Sequence, residues 1–320
     1  MIRMGGSIVR HLNNRTNSAC DGTLDADDAS LAVARRHRLY WLFLLVLVTI
    51  GVQLTVLVVR NPRFGWPIVG QYFFAPAIRH GLEITIELTF ICGIIGIFLG
   101  TFIALARLSN FFVLRNVAVG YVWLFRAVPT LVQLLFWFNL AYLVPSLGLG
   151  VPFGPVFGHW SANSLIKPLT AAIIGLSLHE AACDAEIVRA GILSVDTGQV
   201  DAAKALGLRP VTVFRRVVLP QAARVIIPPL GTQMITLLKG TSLVSVIALS
   251  DLLFSVENIY GVNLEVVPLL LVASIWYVIL VAILSIAQSR IERKLSQGYD
   301  TASRRTGSSA TLVAMPTQVT

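Results

Sequence analysis

Charge is what this 320-residue chain has least of. Only 13% of its residues are charged, against roughly 25% in an ordinary soluble domain. With 56% hydrophobic residues and a mean hydropathy of +0.77, the pattern excludes a water-soluble globule and reads as an integral membrane protein. Cysteine is scarce as well. Cys20, Cys92 and Cys183 are scattered, with neither the spacing of a metal site nor a disulfide framework. No Gly-x-x-x-x-Gly-Lys phosphate loop occurs, and no nucleophile–base pair is apparent. Catalytic and metal residues are therefore expected to be none, and no cofactor is expected in this chain. The residue alternation of a membrane β-barrel is missing too, which leaves helices as the spanning elements.

Long apolar runs are what the chain has in their place. An α-helix crosses the hydrocarbon layer in about 20 residues, and six runs meet that length: Leu39–Val59, Gly81–Leu105, Tyr121–Val144, Leu169–Val188, Val225–Leu249 and Pro268–Ala287. The expected fold is an all-α integral membrane protein of about six transmembrane helices. The first run is too long for a signal-peptide core and ends in Arg60-Asn61-Pro62 without a cleavage pattern, so it is expected to be a span.

The net charge of +9 is distributed by side. Arg35, Arg36 and Arg38 precede the first run, Arg107 and Arg115 follow the second, and six basic residues lie in 189–224. Arg290, Arg293 and Lys294 follow the last run, whereas the opposite loops hold only Arg60, Arg63, Arg79 and Lys167. This positive-inside asymmetry predicts cytoplasmic termini. The basic balance is a label of orientation, with no nucleic acid implied. Residues 1–34 and 296–320 are polar and read as disordered cytoplasmic tails. The Gly- and Pro-dense loop 145–168 reads as a shaped turn region rather than a helix.

One polar stretch between two spans is distinctive. Asp201-Ala202-Ala203 is followed by Gly207, and after nine residues by Val217-Val-Leu219-Pro220. Val200–Leu206 reads as a short helix ended by Gly207 in a left-handed cap, with Asp201 near its start. Val211–Leu219 is amphipathic, with Val211, Phe214 and Val218 on one side and Arg215 and Arg216 on another, and Pro220 is expected to break the chain before the next span.

That pattern resembles the coupling loop of the ABC importer permease family, with Asp201 standing for the family's glutamate. Glu180-Ala-Ala-Cys-Asp184-Ala-Glu186-Ile-Val-Arg189-Ala-Gly191, Phe125-Arg126-Ala-Val-Pro129, Pro228-Pro229 and Leu238-Lys239-Gly-Thr241 are similar to its polar amino acid branch. The resemblance covers about residues 80–295. It implies a type I importer fold over 81–295, with coupling loop 189–224 and an extra helix and external loop in 35–80. It further implies that Asp201, Ala202, Ala203, Gly207, Leu219 and Pro220 couple to a cytoplasmic ATPase, which uses ATP and Mg. An extracytoplasmic amino acid-binding protein and a second permease subunit, identical or a sister, would complete a system in the bacterial inner membrane. Its function would be ATP-driven import of a polar amino acid. Where the family often has an acidic or amide residue after Lys239, this chain has Gly240.

Ionisable groups inside a membrane are costly and default to functional candidates. Lys239 lies about 14 residues, roughly 21 Å, into the fifth span and shares an arc with Thr232, Gln233, Thr236 and Gly240. Lys239, Thr236, Thr241, Gln233, Arg126 and Glu87 are the candidate pathway or gate residues. Glu186 and Arg189 are spaced for an i,i+3 pair, and His80 or Arg79 can serve Glu83. An ion-coupled secondary amino acid transporter, using Lys239 and Glu87 and acting without an ATPase, is the competing reading.

Overall fold

The computed structural model describes residues 36–143, 146–150, 156–161 and 166–296. The expected tails, and Cys20 with them, fall outside the described residues, apart from Ser296 at the end of the last helix. The chain divides into two units, Met1–Phe64 and Gly65–Thr320.

The first unit contributes helix α1 (Arg36–Arg60), whose stretch Tyr40–Arg60 is long and apolar enough to cross a membrane. Nearly every residue from Tyr40 to Val59 is exposed within its own unit. Such an all-round apolar surface suits lipid. Its two threonines donate to carbonyls one turn back, Thr49 to Leu45 and Thr55 to Gly51, each at 2.8 Å. Neither threonine hydroxyl is left facing hydrocarbon unbonded.

The second unit runs through α2 (Trp66–Tyr72), α3 (Pro76–Arg107), α4 (Phe112–Ala127), α5 (Thr130–Phe138) and a one-turn helix at Leu140–Leu143. Strands β1 (Ser146–Gly150) and β2 (Val156–Ser161) then form an antiparallel hairpin, so the expected turn region contains a small two-stranded sheet. Next come α6 (Pro168–Leu193), α7 (Thr197–Ala205), α8 (Leu219–Gly240), a 3₁₀ segment Thr241–Ile247, α9 (Leu252–Asn263) and α10 (Val266–Ser296).

Three expected spans correspond to single long segments: Pro76–Arg107, Pro210–Ile247 and Val266–Leu295. The expected single span Tyr121–Val144 is a correction. Two helices, α4 and α5, meet there at 100°. Pro129 has no N–H to continue α4 and forces Val128 into an extended conformation (φ −85°, ψ 128°). The fourth expected span, α6, is a 26-residue helix that composition alone does not mark as a span. It carries Glu180, Asp184, Glu186 and Arg189, and the first two are buried against α3 and α8 rather than turned to lipid.

The α3–α6 contact is the most extensive in the unit, and small residues make it possible. A Cβ on Gly100 would lie 2.9 Å from the Ala181 carbonyl oxygen, and one on Gly96 would lie 2.7 Å from the Glu180 Cβ. Ala181 and Ala185 offer equally little bulk from α6. One apolar cluster joins Leu88, Leu134, Leu176 and Leu237 at mid-bundle. A second joins Val69, Ile78, Leu252 and Leu269 beneath α9, where Phe73 stacks on Trp276 at 4.8 Å. A third lies towards the polar 189–224 loop.

Candidate functional site

The loop after α6 is built by local capping. Asp196 accepts the Gly198 amide at 2.8 Å and starts α7. At the other end Gly207 has φ +73°, its N–H donates to the Lys204 carbonyl at 2.8 Å, and the Leu208 N–H reaches the Ala203 carbonyl at 3.3 Å. Those two bonds make a Schellman cap, which requires the left-handed residue that glycine supplies. The helix starts three residues earlier than the apolar pattern indicates, so Asp201 sits mid-helix and not at its start. There it pairs with Lys204 at 3.1 Å on the exposed side.

The small residues separate by face. Ala202 is exposed, whereas Ala203 is buried. Val195, Val200, Phe214 and Val218 pack against Ala185, Val188, Ala222 and Ile226, so the loop is seated on α6 and α8. Val211, expected on the apolar side with Phe214 and Val218, is exposed instead. Gln221 donates to the Gln199 side chain at 2.6 Å and ties α7 to the start of α8.

Pro220 does not break the chain, contrary to expectation. The helical path runs from Pro210–Val213 through a π-helical turn at Phe214–Val218 into α8, and Pro220 falls in the first turn of α8, where its missing N–H costs little. Leu219 and Pro220 are both exposed. The tip also shows two apolar side chains that the motif pattern did not single out, Leu206 at 81% and Val211 at 68% exposure. Leu206 stands beside the cap glycine, and Val211 follows Pro210 on the side that the amphipathic pattern expects to pack.

The second constellation surrounds the α4–α5 bend. Breaking the helix frees carbonyl oxygens, and the Gln133 amide donates to two of them, Phe125 and Val128, at 2.8 Å each. His179 Nδ1 lies 3.1 Å from the same Phe125 oxygen. Nearby, Glu186 gathers three guanidinium groups: Arg107 at 2.5 Å, Arg189 at 3.0 Å and Arg126 at 3.8 Å. The expected Glu186–Arg189 pair is present, and Arg107 joins it from 79 residues away. The group carries a net charge of +2, with Arg126 the most exposed of the three.

The candidate pathway residues are scattered in this chain. Gln233 turns inward and donates to Glu180 at 3.0 Å, and Asp184 Oδ1 is buried beside it without a hydrogen-bond partner. Thr241 is fully buried and donates to the Leu238 carbonyl, at the residue where the helix tightens to 3₁₀. Thr232, Thr236 and Lys239 are exposed along one side of α8. Glu87 is exposed on α3, one turn from Glu83, which His80 approaches at 3.8 Å.

The matching family model is that of the binding-protein-dependent transport system inner membrane component, over residues 96–297. This chain belongs to that family. It is an ABC importer permease subunit with the type I fold, a multi-pass inner membrane protein and not an enzyme. Among its relatives, the arginine transport system permease protein ArgU of Corynebacterium glutamicum is 39% identical over 82% of each chain. The L-cystine transport system permease protein TcyB of Bacillus subtilis is 37% identical, covering 72% of this chain and 92% of that one. A crystal structure of an amino acid ABC transporter with histidines aligns at TM-score 0.61 and 32% identity, covering 70% of this permease and 97% of its match. An inward-facing methionine ABC transporter aligns at TM-score 0.55 and 21% identity, which speaks to the fold alone. Nothing in these likenesses favours the ion-coupled alternative.

Proposed function

We propose that this permease carries a polar amino acid inward, driven by ATP that a cytoplasmic partner binds with Mg and hydrolyses. The exposed tip of the 189–224 loop is the observation that carries this reading. Asp201 and Ala202 share an open face, Leu206 and Val211 present apolar contacts to solvent, and Gly207 turns the backbone between them. An isolated subunit gains nothing by exposing two large aliphatic side chains on a polar loop, so the tip has the character of a docking knob. Its rigid seating on α6 and α8 gives any movement of the docked partner a lever on those helices. Leu219 and Pro220 are exposed at the base of the same lever.

In this reading an external binding protein delivers the amino acid, and a second permease, identical or a sister, completes the pathway. The exposed Thr232, Thr236 and Lys239 side of α8 suits a wall that another subunit closes, with the Lys239 ammonium available to a substrate carboxylate. The charge asymmetry supports cytoplasmic termini. Relatives named for arginine and for L-cystine support an amino acid as the cargo class.

Purification from the native membrane in mild detergent, with mass spectrometry of what accompanies the chain, tests the reading. A stoichiometric ATPase, retained by the wild type and lost from a Leu206→Asp, Val211→Asp double variant that still inserts, is the expected result. A stable, amino-acid-transporting preparation without any ATPase would overturn it.

A further inference from the structure

We propose that the groove between α3 and α4 is a binding site for one anionic phospholipid, its acyl chain in the groove and its phosphate held by Arg115. The groove measures about 720 Å³ and is walled by Phe102, Ile103 and Ala106 of α3 and by Leu114, Val117 and Tyr121 of α4. The Tyr121 hydroxyl donates to the Leu178 carbonyl at 2.8 Å and so presents its ring, rather than a free hydroxyl, to the cavity. The walls are apolar almost throughout, while one end reaches Ser109 and Phe111 in the turn joining the two helices. A ligand must therefore be apolar for most of its length and polar at one end.

Charge selects the kind of head group. Arg115 follows Leu114 of the groove wall, is exposed, and makes no side-chain hydrogen bond or ion pair with any described residue. Helix α4 contains no acidic residue. Arg107, next to groove-lining Ala106, belongs to the three-arginine cluster around Glu186, which leaves two uncompensated positive charges. The first turn of α4 adds backbone N–H groups that no side chain caps, a secondary attraction for an anion. A phosphate with no balancing cation complements this end; a zwitterionic head group brings its own positive charge to it.

The same charges disfavour the two protein occupants. Helix α1 is apolar enough for such a groove, but Arg35, Arg36 and Arg38 stand at its start and carry the same sign as Arg115. A second copy of the chain brings the same basic loops. Each pairing sets like charges together, whereas a lipid anion neutralises them.

Native mass spectrometry of the purified full-length permease, incubated with phosphatidylglycerol or phosphatidylcholine of matched chains, tests this. The wild type is expected to retain phosphatidylglycerol about fivefold better, the contribution of one arginine at a membrane surface. Arg115→Gln should erase that preference, and Val117→Trp, on an exposed part of the wall, should reduce retention of both lipids. A photo-crosslinker at Leu114 should capture lipid. The proposal fails if the wild type shows no preference or if Arg115→Gln keeps it. A crosslink at Leu114 to residues 40–60, or to a second copy, equally overturns it.

Discussion

Gly207 offers a clean separation of backbone geometry from surface contact. An ideal Cβ built on it meets nothing within 4 Å, yet its φ of +73° lies in the left-handed region. A side chain therefore costs nothing through steric collision inside this chain, and the whole penalty is conformational. For Gly207→Ala that penalty is about 1–2 kcal/mol, enough to lower the population of the capped turn about 5- to 30-fold relative to competing conformers. Asparagine tolerates the left-handed region better, so Gly207→Asn should cost clearly less. The assay is uptake into proteoliposomes carrying the permease with its ATPase and binding protein, with ATP hydrolysis measured in parallel. Uptake per ATP hydrolysed should fall several-fold with alanine and stay near wild type with asparagine, while membrane insertion is unchanged. Gly207→Asp shares asparagine's backbone tolerance but adds a charge at the tip, so a loss confined to aspartate assigns the effect to the docking surface. Equal loss with alanine and asparagine would refute the conformational argument.

Three further outcomes follow from the packing and the charges. Glu186→Gln leaves Arg107, Arg126 and Arg189 without their shared carboxylate and should destabilise the fold by about 1–3 kcal/mol, seen as a lower unfolding temperature in detergent; an unchanged midpoint would mean the cluster is solvated. Gly100→Ala puts a Cβ 2.9 Å from a backbone oxygen of α6 and should cost about 1–3 kcal/mol. Gly120→Ala, with nothing within 4 Å, should be neutral or stabilising by up to about 1 kcal/mol, and equal effects at the two positions would contradict the packing. Asp251, outside the spans, caps α9 through the Leu253 and Phe254 amides, and its burial pushes its carboxyl up to about 6 from 3.8. Because the folded value is raised, its contribution to stability is full below about pH 4 and is lost as pH rises through 6. Asp251→Asn should flatten the unfolding temperature across that window, and an identical pH profile would rule the group out.

The covered glycines explain where local reasoning stopped. Gly207 is legible from its neighbours, because a left-handed cap is a property of one helix end. Gly96 and Gly100 stand in a Gly-x-x-x-Gly spacing that suits close helix packing, whereas Gly120 stands alone and faces open space; which helix fills the notch is decided only by the arrival of α6. Pro220 shows the same limit from the other side. Its type promised a break, but its position in the first turn after a π-helical segment makes it harmless.

Residue type and local periodicity by themselves determined that the chain lives in a membrane, where most of its spans run, which loops are basic and where the coupling-type loop lies. Those are properties of transfer to lipid and of neighbours a few residues apart, and they need no partner to be read. The tertiary structure alone decided that Arg107 and Arg126 share Glu186, that Gln133 closes the carbonyls opened at Pro129, and that Gln233 turns to Glu180 while Lys239 stays open. These pairings join residues from 5 to 79 positions apart, and a buried polar group takes whichever partner the packing brings within reach. In a bilayer, where water cannot stand in for a missing partner, that choice is made by the bundle as a whole.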